Sequence, residues 1–279
     1  MMLRKSLCMA SVAVALFLAG SASALDYVWQ GGSGDWNDPN HWNQAAVPPS
    51  DPANNVIISF DANGPYTVTI PVGYTADIGQ NGAHPPYGTM YGPEWNATLD
   101  IYGALLYDWV VGPVGDAVNT PVINMYDGSY LNGVNLALGQ NWWWNGGPRV
   151  TMNMSGTAYA LVEALHWGGH LNLTDDSIMD VTVAVYADTV DQVSDATRLI
   201  DIASTTAWLV LPSGYEATVD DWIARDIIRG LGGAGNVAYD DELNPGRLTV
   251  FAIVPEPSTM ALLGLGGLAG AFFLRRRSV

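Results

Sequence analysis

Three consecutive tryptophans, Trp142, Trp143 and Trp144, lie in a polar setting, flanked by Asn141, Asn145 and two glycines. Wide aromatic faces match the C–H faces of a pyranose ring, and polar neighbours can hold its hydroxyls. The run is therefore the candidate sugar contact. Side chains alternate along an extended chain, so Trp142 and Trp144 share one side and Trp143 takes the other. The competing expectation is that one of those sides packs on the body beneath the loop.

Other residues have the types for catalysis or metal binding but not the pattern. His166 and His170 are four apart, with Glu163 nearby. On a helix that spacing puts two ligands on one face. Gly168-Gly169 and the strand-like Leu171-Asn172-Leu173 argue against a helix, so a solvated turn is expected. Asp175, Asp176 and Asp180 form one acidic cluster, and Asp240, Asp241 and Glu242 a second. Ca²⁺ takes about six to eight oxygens, but neither segment has the alternating Asp or Asn and the fixed glycine of a calcium loop. No cofactor and no metal are expected.

Carboxylate pairs are also glycosidase chemistry. A lyase acting on acidic polysaccharide would further need a basic group to abstract a proton. Only Arg149, Arg198, Arg225, Arg229 and Arg247 are available between the ends, and there is no lysine there. The chain has no G-x-S-x-G, no phosphate loop and no H-E-x-x-H. No catalytic residue is assigned. The leading expectation is a non-enzymatic protein; a polysaccharide-active β-helix enzyme and a carbohydrate-binding module built on the Trp loop are the alternatives.

The elements that must position these residues announce themselves through a repeat. The pattern apolar–Asx–apolar recurs as Leu99-Asp100-Ile101, Ile123-Asn124-Met125, Met152-Asn153-Met154, Leu171-Asn172-Leu173 and Ile200-Asp201-Ile202, at spacings of 24, 29, 19 and 29 residues. Four copies run into turn-forming residues: Gly103, Asp127-Gly128-Ser129, Ser155-Gly156-Thr157 and Asp175-Asp176-Ser177. A supersecondary unit repeated at such a period is a solenoid signature. Strand alternation sends the two apolar residues inward and the Asx outward.

The expected fold is all-β, a parallel β-helix or solenoid-like body over residues 73–253, with a β-sandwich as the alternative. One helix is expected, near 219–229, with Thr218 as N-cap, an Asp221–Arg225 pair and Gly230 as the stop. It would cap one end of the solenoid. A last strand follows at Arg247 to Ile253.

Charge narrows the partners. Charged residues make up 13% of the 279, about half the ~25% usual for a globular domain. Five of the ten basic residues lie in the two end segments, with only one of the 27 acidic residues, Glu256. Residues 25–253 thus carry 5 basic and 26 acidic groups, a net of −21. Such a body repels nucleic-acid phosphates, so no nucleic acid is expected. The one cysteine, Cys8, leaves the body without disulfides or thiolate sites.

Both ends resemble addresses. Residues 1–24 have a basic Arg4-Lys5, an apolar run from Leu7 to Ala19, and Ala22-Ser23-Ala24 as a small-x-small cleavage site after Ala24. That is the pattern of a secretory signal peptide. At the other end, Val254-Pro255-Glu256-Pro257 precedes an apolar run from Met260 to Leu274 and then Arg275-Arg276-Arg277. The 15-residue run reaches ~22 Å as a helix, short of the ~30 Å hydrocarbon core. With flanking residues it just spans, and the arginines stay on the cytoplasmic side.

Residues 254–279 resemble the PEP-CTERM sorting signal. The resemblance implies an exported protein held at the inner membrane through its tail until a transpeptidase-like exosortase removes that tail. The destination is then the cell surface or a matrix of extracellular polysaccharide, the second implied partner. Residues 25–72 form a Trp-rich strand segment. In it Trp29-Gln30-Gly31-Gly32-Ser33-Gly34-Asp35-Trp36, Asn40-His41-Trp42 and Pro48-Pro49 resemble the N-terminal part of exported planctomycete-type proteins. This second resemblance again implies a β-solenoid body.

Overall fold

The computed structural model describes residues 25–50, 54–58, 65–79, 89–91, 97–111, 121–138, 150–187 and 199–254. The first strands are β1 (Asp26–Val28), β2 (Gly34–Asp35), β3 (Asn55–Ile57), β4 (Thr67–Ile70), β5 (Thr75–Asp77) and β6 (Thr89–Tyr91). The middle holds β7 (Thr98–Ile101), β8 (Ala104–Val111), β9 (Val122–Met125), β10 (Tyr130–Leu138), β11 (Thr151–Met154) and β12 (Tyr159–Trp167). Next come β13 (His170–Leu173), β14 (Ile178–Ala187), β15 (Leu199–Ile202) and β16 (Trp208–Pro212). Helix α1 (Glu216–Ala224), β17 (Ile228–Gly230), β18 (Val237–Asp240) and β19 (Arg247–Ala252) complete the order.

Among the described residues the protein is all-β apart from α1 and two 3-10 turns. Its strands form two sheets. A short-stranded sheet runs β17-β15-β13-β11-β9-β7-β4-β2. A long-stranded sheet runs β1-β3-β6-β8-β10-β12-β14-β16-β19-β18, with β5 beside β8. From β7 to β16 the chain alternates strictly between them. Every pairing in the short-stranded sheet is parallel, and in the other only β19 runs antiparallel to its neighbours β16 and β18.

The repeat explains this order. Leu99 lies opposite Ile123, Ile123 opposite Met152, Met152 opposite Leu171, and Leu171 opposite Ile200. All five are at most 1% exposed. The second apolar residue of each copy makes a parallel file, Ile101, Met125, Met154, Leu173 and Ile202, equally buried. The copies thus stack as neighbouring parallel strands, the pairing that the repeat predicts. Each fully buried aliphatic side chain contributes ~1.5–3 kcal/mol, and one continuous core joins both sheets.

The Trp-rich segment opens the two sheets. Trp29, Trp36 and Trp42 are buried, with Trp42 edge-on to both others at 5.0 Å. Their indole N–H groups are satisfied locally, Trp29 on the Gly32 carbonyl and Trp42 on the Trp36 carbonyl, both at 2.9 Å. His41 stacks on Trp29 at 4.7 Å. A Cβ on Gly34 would sit 2.2 Å from that imidazole, so the glycine is required by close approach. The outer edge of β1 is occupied. Asn43 accepts from the Val28 N–H through its side-chain oxygen, donates its amide to the Asp26 carbonyl, and donates its backbone N–H to the Val28 carbonyl. Occupied edges do not recruit further strands.

The helix departs from expectation. It runs over Glu216–Ala224, and its N-cap is Tyr215, with no side-chain cap bond, rather than Thr218. The Asp221–Arg225 pair forms at 3.0 Å. Beyond it Asp226 takes a positive φ of 56° and reverses the chain. Ile228–Gly230 then pairs with Ile200–Ile202. Tertiary pairing thus claims Ile228 and Arg229, which the apolar spacing assigns to the helix, and Gly230 is a strand residue rather than a stop. Val219 and Trp222 are the buried helix residues, Trp222 edge-on to Trp167 at 5.2 Å.

Candidate functional site

The Asx residues of the first four repeats form a hydrogen-bonded ladder on the outer face of the short-stranded sheet. Asn124 donates its side-chain amide to Asp100 at 2.8 Å, Asn153 to Asn124 at 2.8 Å, and Asn172 to Asn153 at 2.7 Å. The ladder has a direction because Asp100, as a carboxylate, can only accept. Tyr126 also donates to Asp100, at 3.4 Å, and stacks on Tyr102 at 4.2 Å. Burial, the Tyr102 hydroxyl and Asp100 push the Tyr126 phenol up to about 12. At the far end the Oδ1 of Asp201 is buried with no hydrogen-bond partner. Arg229 lies opposite Asp201, with its guanidinium bonded to Asp226.

The carboxylates of the turns are engaged in the same way. Asp127 accepts from the backbone and hydroxyl of Thr157 in the next turn, at 2.9 and 2.8 Å. These bonds hold its carboxyl below the usual carboxylate range. Asp175 accepts from the Gly156 N–H at 3.0 Å. Asp240 accepts from the backbone N–H groups of Glu242 and Leu243. Among the described residues no three His, Cys, Asp or Glu side chains gather closely enough to hold a metal ion.

Asp180 stands apart from Asp175 and Asp176, on β14. It takes the Arg247 guanidinium and, at 2.9 Å, the Tyr159 hydroxyl. Arg247 also donates to the carbonyls of Leu211 at 3.1 Å and Val181 at 2.6 Å. A guanidinium is a donor only and has no lone pair for proton abstraction. It ties β14, β16 and β19 together. Tyr159 stacks parallel to Tyr130 at 6.0 Å, and burial followed by Asp180 pushes its phenol up to about 12.

The outer face of the long-stranded sheet also carries a groove of about 330 Å³, lined by Asp108, Asn132, Val134, Leu161, Glu163 and Thr182 together with the backbones of Gly133 and Val162. It lies where the strands change phase. In β10 the inward residues are Leu131 and Gly133 and then Leu136 and Leu138; in β12 they are Ala160 and Val162 and then Leu165 and Trp167. A three-residue step replaces the two-residue step, so both strands bend. In β14 two residues, Thr182 and Val183, face the single Glu163, a β-bulge. Bulges re-aim side chains and are common beside functional sites. A Cβ on Gly133 would sit 2.2 Å from the Tyr107 ring. That ring fills the core under the bend.

The groove is closed at Asp108, which is buried, and open at Glu163 and Thr182, which are exposed. One step further along the same face, His166 bonds to the Asn135 side chain at 3.2 Å and stacks on Tyr186 at 4.7 Å. His166 is therefore a buried strand residue, 1% exposed, and not part of a solvated turn. His170, across the Gly168-Gly169 bend, begins β13 in the other sheet, so the two histidines share no face.

Among the sequence candidates, Trp142, Trp143, Trp144, Arg149, Arg198, Ala24, Pro255, Glu256 and Pro257 lie outside the described residues. Val254 follows β19 and is 67% exposed. Among the described residues no helix is long and apolar enough to cross a membrane. Asp108, Asn132, Thr182 and Tyr186 were absent from the sequence candidates. A second repeat points to Asn132 alone among them: Tyr130-Leu-Asn-Gly-Val-Asn-Leu-Ala-Leu138 and Tyr159-Ala-Leu-Val-Glu-Ala-Leu-His-Trp167 align residue for residue, with the same break in apolar alternation.

Comparison with known proteins bears on one end of the chain. The family model of the PEP-CTERM protein-sorting motif matches residues 254–277. This supports the chain as an exported PEP-CTERM protein, sorted by its C-terminal signal. The motif implies processing by an exosortase-type enzyme and a transient association with the membrane. No curated protein and no solved structure matches the chain.

Proposed function

We propose that this is a non-enzymatic protein of the cell envelope or of the polysaccharide matrix around the cell, its body wound as a parallel β-helix with two main strands per coil. The winding rests on the strict alternation of the chain between two parallel sheets. The observation that carries the structural role is where the reactive side chains are spent. Asp100, Asp127, Asp175 and Asp180 each bond to a neighbouring coil. Arg247, paired with Asp180, also donates to two backbone carbonyls. The acidic surface keeps such a rod soluble and apart from its copies.

The test is made in the native host. With residues 255–279 deleted, the protein should leave the surface and matrix fraction. The purified protein should release neither reducing ends nor unsaturated products from the host's polysaccharide. Unchanged fractionation would overturn the matrix assignment, and product release the non-enzymatic one.

A further inference from the structure

We infer that the groove on the long-stranded sheet binds a neutral glycan chain, a proposal that deepens the matrix reading by naming what the protein holds there. The groove volume of about 330 Å³ falls at the lower end of ligand pockets, ~300–1,000 Å³, a size suited to sugar units rather than to a macromolecule. Its lining has what a pyranose requires. Val134 and Leu161 offer aliphatic surface for the C–H face, and Glu163 and Thr182 offer an acceptor and a hydroxyl at the open rim, with Asp108 and Asn132 lining the closed end.

Register sets the spacing of the two acids. Val134 lies between the paired positions Gly133 and Asn135, so it faces Asp108 on β8 and Glu163 on β12. The acids are therefore two strands apart, ~9.6 Å between backbones, with the Val134 side chain as the floor between them. The Tyr186 ring continues the face. It is 50% exposed, and its other side is backed by His166. From Thr182 to Tyr186 the strand advances ~13 Å, so one extended chain can lie in the groove and stack on Tyr186.

Charge chooses the glycan class. The groove is lined by two carboxylates and by no arginine or lysine. The body carries a net of −21. A uronic-acid polymer is repelled, whereas a neutral one brings hydroxyl donors to the exposed Glu163 and Thr182 side chains without that repulsion.

Affinity electrophoresis of the purified protein through gels containing hydroxyethylcellulose, dextran, galactomannan or polygalacturonate tests this. At least one neutral polymer should retard the protein, and polygalacturonate should not. Glu163→Ala and Tyr186→Ala, both at exposed positions, should each weaken retardation about tenfold. Asp221→Ala on α1 should leave it unchanged. The inference is overturned if no neutral polymer retards the protein, if polygalacturonate binds better than the neutral polymers, or if neither groove variant weakens binding. A failure here with the surface location intact would remove the groove and leave the matrix role; loss of the tail-dependent location with binding intact would do the reverse.

Discussion

Replacing Asp201 with asparagine should make this protein more stable. Each amide of the ladder donates toward lower residue numbers, from Asn172 to Asn153 to Asn124 to Asp100. Asn172 therefore has its side-chain oxygen free to accept from the next strand, where Asp201 lies directly opposite. A carboxylate cannot donate, and the Asp201 Oδ1 is buried with no partner. Asparagine has the same shape and brings the missing N–H. The new bond is worth ~0.5–1.5 kcal/mol, and the buried unsatisfied acceptor disappears with it. Against this stands the attraction between Asp201 and Arg229. Arg229 is half-exposed and already paired with Asp226, so that loss stays below ~1 kcal/mol. The net expectation is a gain of about 1 kcal/mol, or ~2–4 °C in Tm for a body of this size. Thermal unfolding followed by circular dichroism at pH 7 reads it directly. Asn153→Ala is the counterpart. It strands an acceptor on Asn124 and a donor on Asn172, and should cost ~1–3 kcal/mol. A Tm for Asp201→Asn equal to or below the parent's would refute the directional ladder.

Arg247→Ala should lower stability by ~2–4 kcal/mol, since it leaves the half-buried Asp180 carboxylate and two carbonyls without their donor. Replacing Arg247 and Asp180 together by leucine should recover most of that loss, and chemical denaturation of the three forms measures both effects. Tyr126 and Tyr159, whose phenols lie near 12, should stay protonated in a spectrophotometric titration to pH 11. An unfolded tyrosine ionises near ~10, so these two groups contribute stability that is complete below pH ~10 and is lost as pH rises toward 12. An alkaline midpoint at or below pH 10 for every tyrosine would contradict this. The intact mass of the native protein should lack residues 1–24 and most of the chain beyond Val254; retention of Arg275–Arg277 in the mature form would contradict processing of the tail.

Much of this protein is legible along the chain because it rests on local pattern. The sorting tail is a linear signal, read by order and spacing with no partner required. The apolar–Asx–apolar repeat fixes inside and outside through the two-residue period of a strand, so the file from Leu99 to Ile200 can be placed without coordinates. Three things needed the tertiary structure. Whether Ile227 and Ile228 continue a helix or begin a strand was decided by the exposed edge of β15, which pairs with Ile228–Gly230; helical periodicity cannot register an edge that forms far away in sequence. Asp180 reads as one member of an acidic run with Asp175 and Asp176. Its partner Arg247 is 67 residues distant, brought in only because β19 returns antiparallel beside β16. The groove arises from a slip in alternation on β10 and β12 and a bulge on β14. Each slip is a small irregularity in one strand and acquires meaning only where neighbouring strands bend at the same height. Side-chain alternation is a property of one chain segment, whereas a site on a sheet belongs to several strands at once, and only their packed register brings Asp108, Glu163 and Tyr186 onto one surface.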